Sequence, residues 1–244
     1  MVKSVRIMII LTTLYNSENY IERCIGTMLV QTHKDFKCYI TDDMSTDNSV
    51  KLAKEMTEGD DRFIIIENSE KKYQPGNYDQ VIRDNPEIDD NDICVELDGD
   101  DWLPDRDTLK RVFNTYVDSN VWIANGSFKY ANGANGFSQE QKDFNNLRNG
   151  RFTATHMRTW RAFLWRKIKQ EDLKDSEGVF WKMTGDLSFM FPMLEMAGEQ
   201  HYKFMSDINY IYNEDNPIND HKVDLTLVNE IAVKIRNMKP YNLL

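Results

Sequence analysis

The sequence predicts an α/β protein built on a mostly parallel, doubly wound sheet, and three observations carry that expectation. Near-continuous apolar runs such as Val5 to Leu11 and Phe36 to Thr41 have the pattern of strands covered on both faces. Segments with apolar residues at helical spacing follow them, so strand and helix alternate as in a parallel sheet. Short polar loops rich in Asp, Asn and Thr stand where those strands end, which is where open α/β sheets bind ligands.

The elements follow in order. Val5 to Leu11 is the first strand, ended by Thr12 and Thr13. Glu18 to Val30 carries Tyr20, Ile21, Cys24, Ile25, Met28 and Leu29 on one helical face, with Ser17 as its N-cap. Phe36 to Thr41 is the second strand, Asp42 to Asp47 a polar loop, and Ser49 to Met56 a helix capped by Asp47 or Thr46. Phe63 to Ile66 is a third strand, Asn77 to Arg83 a helical turn, and Asp92 to Leu97 a fourth strand. Thr108 to Tyr116 reads as helix and Val121 to Ala124 as a further apolar run. Asn132-Gly133-Ala134-Asn135-Gly136 is a turn, and helices resume over His156 to Ile168 and Leu187 to Met196. Tyr202 to Tyr212 reads as extended. Asp224 to Met238 places Leu225, Val228, Ile231, Ile235 and Met238 on one helical stripe, suited to docking on the domain and also to a homodimer contact.

At 244 residues, with sparse glycine and proline and no low-complexity linker, one domain over 1–244 is expected. The formal net charge of −10 argues against a nonspecific nucleic-acid binder, because phosphate backbones repel an acidic surface. Its N-terminal apolar run falls well short of the ~20 residues of a membrane span. Cys24, Cys38 and Cys94 are odd in number, widely spaced and embedded in apolar patterns, which suits buried thiols in a reducing cytoplasm.

Asp98-Gly99-Asp100-Asp101 concentrates the chemistry. Three carboxylates follow the apolar run Ile93 to Leu97, and such clustering is unfavourable unless a cation or solvent offsets it. Oxygen-only ligands suit Mg²⁺ or Mn²⁺, and such an ion at a strand end serves a phosphate-bearing ligand. The competing reading is an acidic turn capping the helix after Pro104.

Taken in order, Thr13-Leu14-Tyr15-Asn16, the helix ending in Gln31-Thr32, Asp42 to Asp47, Asp98 to Asp101 and Gly185-Asp186 resemble the family 2 glycosyltransferases of GT-A fold. The likeness covers the first 110 or so residues well and the rest thinly. It implies transfer of a sugar from a nucleoside-diphosphate sugar, of UDP or dTDP type, to a hydroxyl of a glycan, glycolipid or glycoprotein, with inversion at the anomeric carbon. It further implies a nucleotide-sugar half at 1–125 and an acceptor half at 126–244.

By this resemblance Thr13, Tyr15 and Asp43 border the nucleobase. Asp43 alternatively makes an Asx-turn or cap, a role that suits Asp42 better, and Tyr15 alternatively packs in the core. Asp98 faces the ribose or the metal, Asp100 holds the metal, and Asp101 supports them or caps a helix. The Asn that the family places before the metal motif corresponds to Asn77. Asp186 matches the catalytic base at a helix start, although the chain has Gly-Asp where many relatives have Glu-Asp; an ordinary N-cap is the alternative. His221 sits in a polar loop where some relatives supply a metal ligand, and a solvated loop histidine is the alternative. His156 and Trp160 fall on the acceptor side, with inward packing the first reading for Trp160.

Two alternatives stand beside transfer. A sugar-phosphate nucleotidyltransferase would want a Gly-rich, basic phosphate loop near the N-terminus, and Thr12 to Tyr20 has neither Gly nor Lys/Arg. A noncatalytic nucleotide-sugar or glycan-binding module would keep the pocket without turnover.

Overall fold

A computed structural model describes residues 7–118 and 120–244. Seven strands form one sheet: β1 (Met8–Leu14), β2 (Phe36–Asp42), β3 (Phe63–Glu67), β4 (Ile93–Glu96), β5 (Ile123–Tyr130), β6 (Arg158–Arg161) and β7 (Tyr202–Tyr212). Their order is β3-β2-β1-β4-β6-β5-β7. The pairs β1–β2, β1–β4, β2–β3 and β5–β7 are parallel, whereas β6 runs antiparallel to both neighbours. The sheet is therefore mostly parallel, as expected.

The apolar runs do not alternate in polarity because both sheet faces are covered. Met8 and Ile10 enter a core with Ile21, Cys24, Ile25 and Met28 of α1 (Ile21–Leu29), Ala53 of α2 (Ser49–Thr57), and Leu109 and Val112 of α4 (Thr108–Val117). Ile9 and Leu11 point the opposite way, toward Tyr78 and Ile82 of α3 (Tyr73–Asp84), Trp165 of α5 (Ala162–Lys167) and Phe189 of α6 (Gly185–Ala197). Ile231 and Ile235 of α7 (Leu225–Arg236) join this second core. Successive side chains of a strand leave opposite faces, so one seven-residue strand serves both layers.

Several boundaries move. Val5 and Arg6 lie outside the described residues, and Thr12 and Thr13 continue the first strand because Thr12 pairs with Ile40 and Thr13 with Thr41. Ser17 does not cap α1 through its side chain; its backbone carbonyl accepts from the N–H groups of Tyr20 and Ile21. The predicted turn at Asn77 is a full helix from Tyr73 to Asp84.

The main departure is His156 to Ile168, which is not one helix. Strand β6 inserts between β4 and β5, and α5 starts only at Ala162. Trp160 faces one core while the hydroxyl of neighbouring Thr159 lies 2.9 Å from that of Tyr116 on the other side, an alternation of period two. Arg161 is affordable inside the sheet because it donates to the carbonyls of Val121, Tyr116 and Asn91 at 2.8, 3.1 and 3.2 Å. In the C-terminal stripe Ile231 and Ile235 are buried, but Leu225 is exposed.

Candidate active site

A cleft of about 600 Å³ opens at the carboxyl ends of β1, β2 and β4, with the start of α6 on its far wall. Thr13, Tyr15, Asp43, Asp98, Asp100, His156, Asp186 and His221 all line it, although they come from segments spread over the chain. Asn77 and Trp160 do not. Asn77 is fully buried and its side-chain oxygen accepts from Asn68 at 2.7 Å. Trp160 is fully buried against Tyr78, Trp165 and Phe189, with ring centroids 5.6 to 6.2 Å away.

Asp43 has a built role. Its carboxylate accepts from the backbone N–H groups of Lys72 at 2.7 Å and Tyr73 at 3.1 Å, so the end of β2 holds the start of α3. Asp42 accepts from the Ser45 N–H with both oxygens at 3.2 Å and shapes the loop itself. Tyr15 is half-exposed at the rim, with the Lys71 ammonium 2.9 Å from its ring centroid. The buried hydroxyl of Thr13 has no hydrogen-bond partner among the described residues.

The acidic loop is clamped by β7, far away in sequence. Tyr210 donates its hydroxyl to Asp101 at 2.6 Å, and the Asn213 N–H donates to the same carboxylate at 2.7 Å. Asp101 is thereby a fastening, although it lines the cleft together with Asp98 and Asp100. Asp100 accepts from Asn216 at 2.7 Å, and Asp98 accepts from Gln74 at 3.2 Å. Burial, and then the charge of Asp100, push Asp98 up to about 7. Burial also raises Asp100. Asp220, which accepts from the Thr184 N–H, is pushed up to about 6 by burial.

Asp186 occupies the first turn of α6, and its environment explains the Gly-Asp pair. A Cβ at Gly185 would lie 2.6 Å from Cγ of Pro75, so only glycine lets α6 approach α3 this closely. The Asp186 carboxylate accepts from Nη2 of Arg158 at 2.5 Å. Through Nη1, the same guanidinium donates to Glu96 at 2.6 Å. Glu96 also accepts from Gln74 at 3.0 Å, and burial pushes it up to about 8 despite Arg158. His156 stacks on Tyr210 and Tyr212, and burial lowers its pKa well below the usual imidazole value.

Arg158, Glu96, Gln74 and Lys71 are site residues that the sequence reading passed over. An acid inside the buried run Ile93 to Leu97 was a signal for Glu96. Arg158 had none, because it fell in a stretch read as helix.

The donor set suits a hard divalent cation. Glu96, Asp98 and His156 bring ligand atoms within 4.8 Å of one another, but Nη1 of Arg158 already lies 2.6 Å from Glu96 and 3.3 Å from His156, which leaves the Asp98 and Asp100 carboxylates in the cleft to a cation. Arg158 compensates the Glu96 and Asp186 side of this charge. The Asp98–Asp100 repulsion is what a cation would relieve.

A mostly parallel α/β sheet carrying an acid-lined cleft at its carboxyl edge is the architecture of the GT-A glycosyltransferases. Residues 9–180 match the family model described as glycosyl transferase family 2, and the chain belongs to that family. Membership of that family speaks against the sugar-phosphate nucleotidyltransferase alternative. Glycosyltransferase GlyA of Streptococcus pneumoniae is 26% identical over 137 residues, covering 52% of this chain and 17% of GlyA. The S. aureus TarS crystal structure superposes with a TM-score of 0.65 at 20% identity, over 96% of this chain and 40% of TarS. TarS 1-349 with UDP-GlcNAc gives 0.63 at 15% identity over 85% and 58% of the two chains. The mannosyltransferase PcManGT of Pyrobaculum calidifontis, with GDP-Man and Mn²⁺, gives 0.57 at 16% identity over 98% and 66%. These structural likenesses concern the fold. The chain spans about a sixth of GlyA and two fifths of TarS. No helix among the described residues is long and apolar enough to cross a membrane.

Proposed function

We propose that this chain transfers a sugar from a UDP- or dTDP-sugar to a hydroxyl of a glycan, glycolipid or glycoprotein, with inversion at the anomeric carbon. The observation carrying this reading is that Asp43, Asp98, Asp100 and Asp186, from four distant segments, meet in one cleft. Structures of similar fold at low identity were solved with UDP-GlcNAc, with UDP, and with GDP-Man and Mn²⁺, which supports a nucleotide-sugar donor.

In this proposal Thr13 and Tyr15 border the nucleobase, and Asp43 accepts from a base N–H with a lone pair left over from its cap of α3. Asn77 backs the donor side only indirectly, through Asn68, which also donates to Asp43 at 3.3 Å. Asp98 and Asp100, with His221, would hold Mn²⁺ or Mg²⁺. When bound, that ion offsets the charge of the departing diphosphate.

Asp186 takes the acceptor proton. Arg158 holds its carboxylate in place, leaving the second oxygen for the acceptor hydroxyl. Inversion follows when the acceptor oxygen, losing its proton to this base, attacks the anomeric carbon from the face opposite the leaving diphosphate. The donor half is 1–125 and the acceptor half 126–244. The three buried free thiols, with Cys38 pushed up to about 12 by burial, suit a cytoplasmic setting.

Thermal shift with UDP-, dTDP- and GDP-sugars, each with and without Mn²⁺, tests the donor site in wild type and Asp100→Ala. A cation-dependent rise in Tm for one nucleotide, lost in the variant, is the expected result. A rise that persists in Asp100→Ala refutes the assignment of the cation to this loop.

A further inference from the structure

Beside the donor cleft lies a second pocket of about 500 Å³. The two share His156, Arg158, Thr184, Asp186, Tyr212 and His221, so the Asp186 carboxylate stands on their common wall. The rest of the second pocket has a different character. Phe128, Tyr130 and Phe137 form its aromatic side.

That side is shaped by a return of the chain after β5. The turn at 131–136 brings Asn135 back to bridge Lys129, and the Gly136 N–H donates to the Phe128 carbonyl at 2.9 Å. A Cβ at Gly136 would lie 2.4 Å from the Phe128 ring, so this return demands glycine. It sets Phe137 edge-on to Phe128, at 5.6 Å and 85°. Tyr130 meets Phe128 and Tyr212 at 76° and 73°. Phe137 remains 44% exposed, a large aromatic surface held open beside the candidate base.

The electrostatics of this pocket narrow what can enter. Its wall carries the carboxylates of Asp186 and Glu214, and no lysine lines it among the described residues. Arg158 is committed to Glu96 and Asp186. Arg236 donates from Nη1 to the carbonyls of Arg148 and Gly150 at 2.6 and 3.1 Å. His221 lies 3.0 Å from Glu214. A phosphate or carboxylate on the acceptor would meet the Asp186 and Glu214 carboxylates, with Arg158 already shared between two carboxylates and Arg236 held through Nη1 by backbone carbonyls. A neutral pyranose suits it better, because its C–H face packs on aromatic rings while its hydroxyls meet the carboxylates.

We propose that this pocket is the acceptor subsite and that it takes an uncharged sugar residue packed against Phe137 and Tyr130. The proposal rests on the transfer reading above. The acceptor hydroxyl attacks the anomeric carbon, forming the new C–O bond with an oxygen lone pair while its proton passes to Asp186. The bond to the diphosphate oxygen breaks, and its electron pair leaves with the nucleoside diphosphate.

Ligand-observed NMR on the full chain tests this with methyl hexopyranosides and N-acetylhexosaminides against a methyl glucuronide and a hexose 6-phosphate, in wild type, Phe137→Ala and Phe137→Tyr. With a turned-over pair in hand, Phe137→Ala raises the acceptor KM about tenfold with a smaller change in kcat, and Phe137→Tyr restores it. Neutral sugars give saturation-transfer signals that weaken in Phe137→Ala and return in Phe137→Tyr. Equal or stronger signals from the charged sugars, or signals indifferent to Phe137, overturn the proposal. Donor binding to wild type, followed by thermal shift, separates the two levels: a nucleotide-sugar shift alongside indifferent acceptor signals sinks this inference and spares the transfer reading, whereas no shift with any donor sinks both.

Discussion

Replacing Arg158 with Met removes the one cation that bridges Glu96 and Asp186 while keeping a long, flexible side chain in the slot. Arg158 and Glu96 are buried and Asp186 keeps 21% of its side-chain surface, so the two ends of the bridge differ in solvent access. Breaking a buried ion pair by removing one partner costs about 3–5 kcal/mol. The lower end applies here, about 3 kcal/mol at pH 7. Glu96, already pushed up to about 8, absorbs part of the loss by holding a proton, and Asp186 turns toward water. The sign with pH follows from Glu96. A carboxyl whose folded pKa is raised contributes stability below its unfolded value, about 4.3, and loses that contribution as pH rises through about 8. Without Arg158 the folded pKa climbs further, so the gap between variant and wild type widens from pH 7 to pH 9. Urea unfolding at pH 6, 7, 8 and 9 measures it, with Arg158→Lys recovering part of the loss because one ammonium cannot serve both carboxylates in the guanidinium's fork geometry. A destabilisation under about 1 kcal/mol, or one flat with pH, would refute the claim that this bridge compensates the site's buried charge.

Asp186→Asn keeps the shape and removes the base, so kcat falls about 10²- to 10⁴-fold while the donor-induced rise in Tm is retained; near-normal transfer would remove Asp186 from the mechanism. His156, stacked on Tyr210 and Tyr212, resists protonation in the folded chain, so its contribution to stability is present above about pH 6.5 and lost as pH falls. His156→Asn therefore flattens the acid limb of a Tm-against-pH curve; an unchanged limb assigns the acid sensitivity elsewhere.

Much of this protein was legible in its sequence for local reasons. Two-sided strands read as unbroken apolar runs, helices as a 3.6-residue stripe, and carboxylates at strand ends stood out against them. Those signals were enough for the α/β sheet, for the family and for eight of the residues that line the cleft.

Tertiary structure decided what depends on partners distant in sequence. Whether His156 to Ile168 is helix or strand turns on the slot between β4 and β5, because a short apolar segment with interspersed arginines fits either period. Only that slot turns Arg158 inward to Glu96 and Asp186. Trp160, assigned to the acceptor side, is drawn into the aromatic core by the same strand, and Asn77 is turned away from the cleft by the helix that Asp43 caps. Asp101 resembles its neighbours in sequence, yet β7 makes it an anchor through Tyr210 and Asn213. Residue type and spacing announced which chemistry the chain carries; desolvation and the geometry of distant partners decided which carboxylates are paired, which face the cleft and which merely hold it in shape.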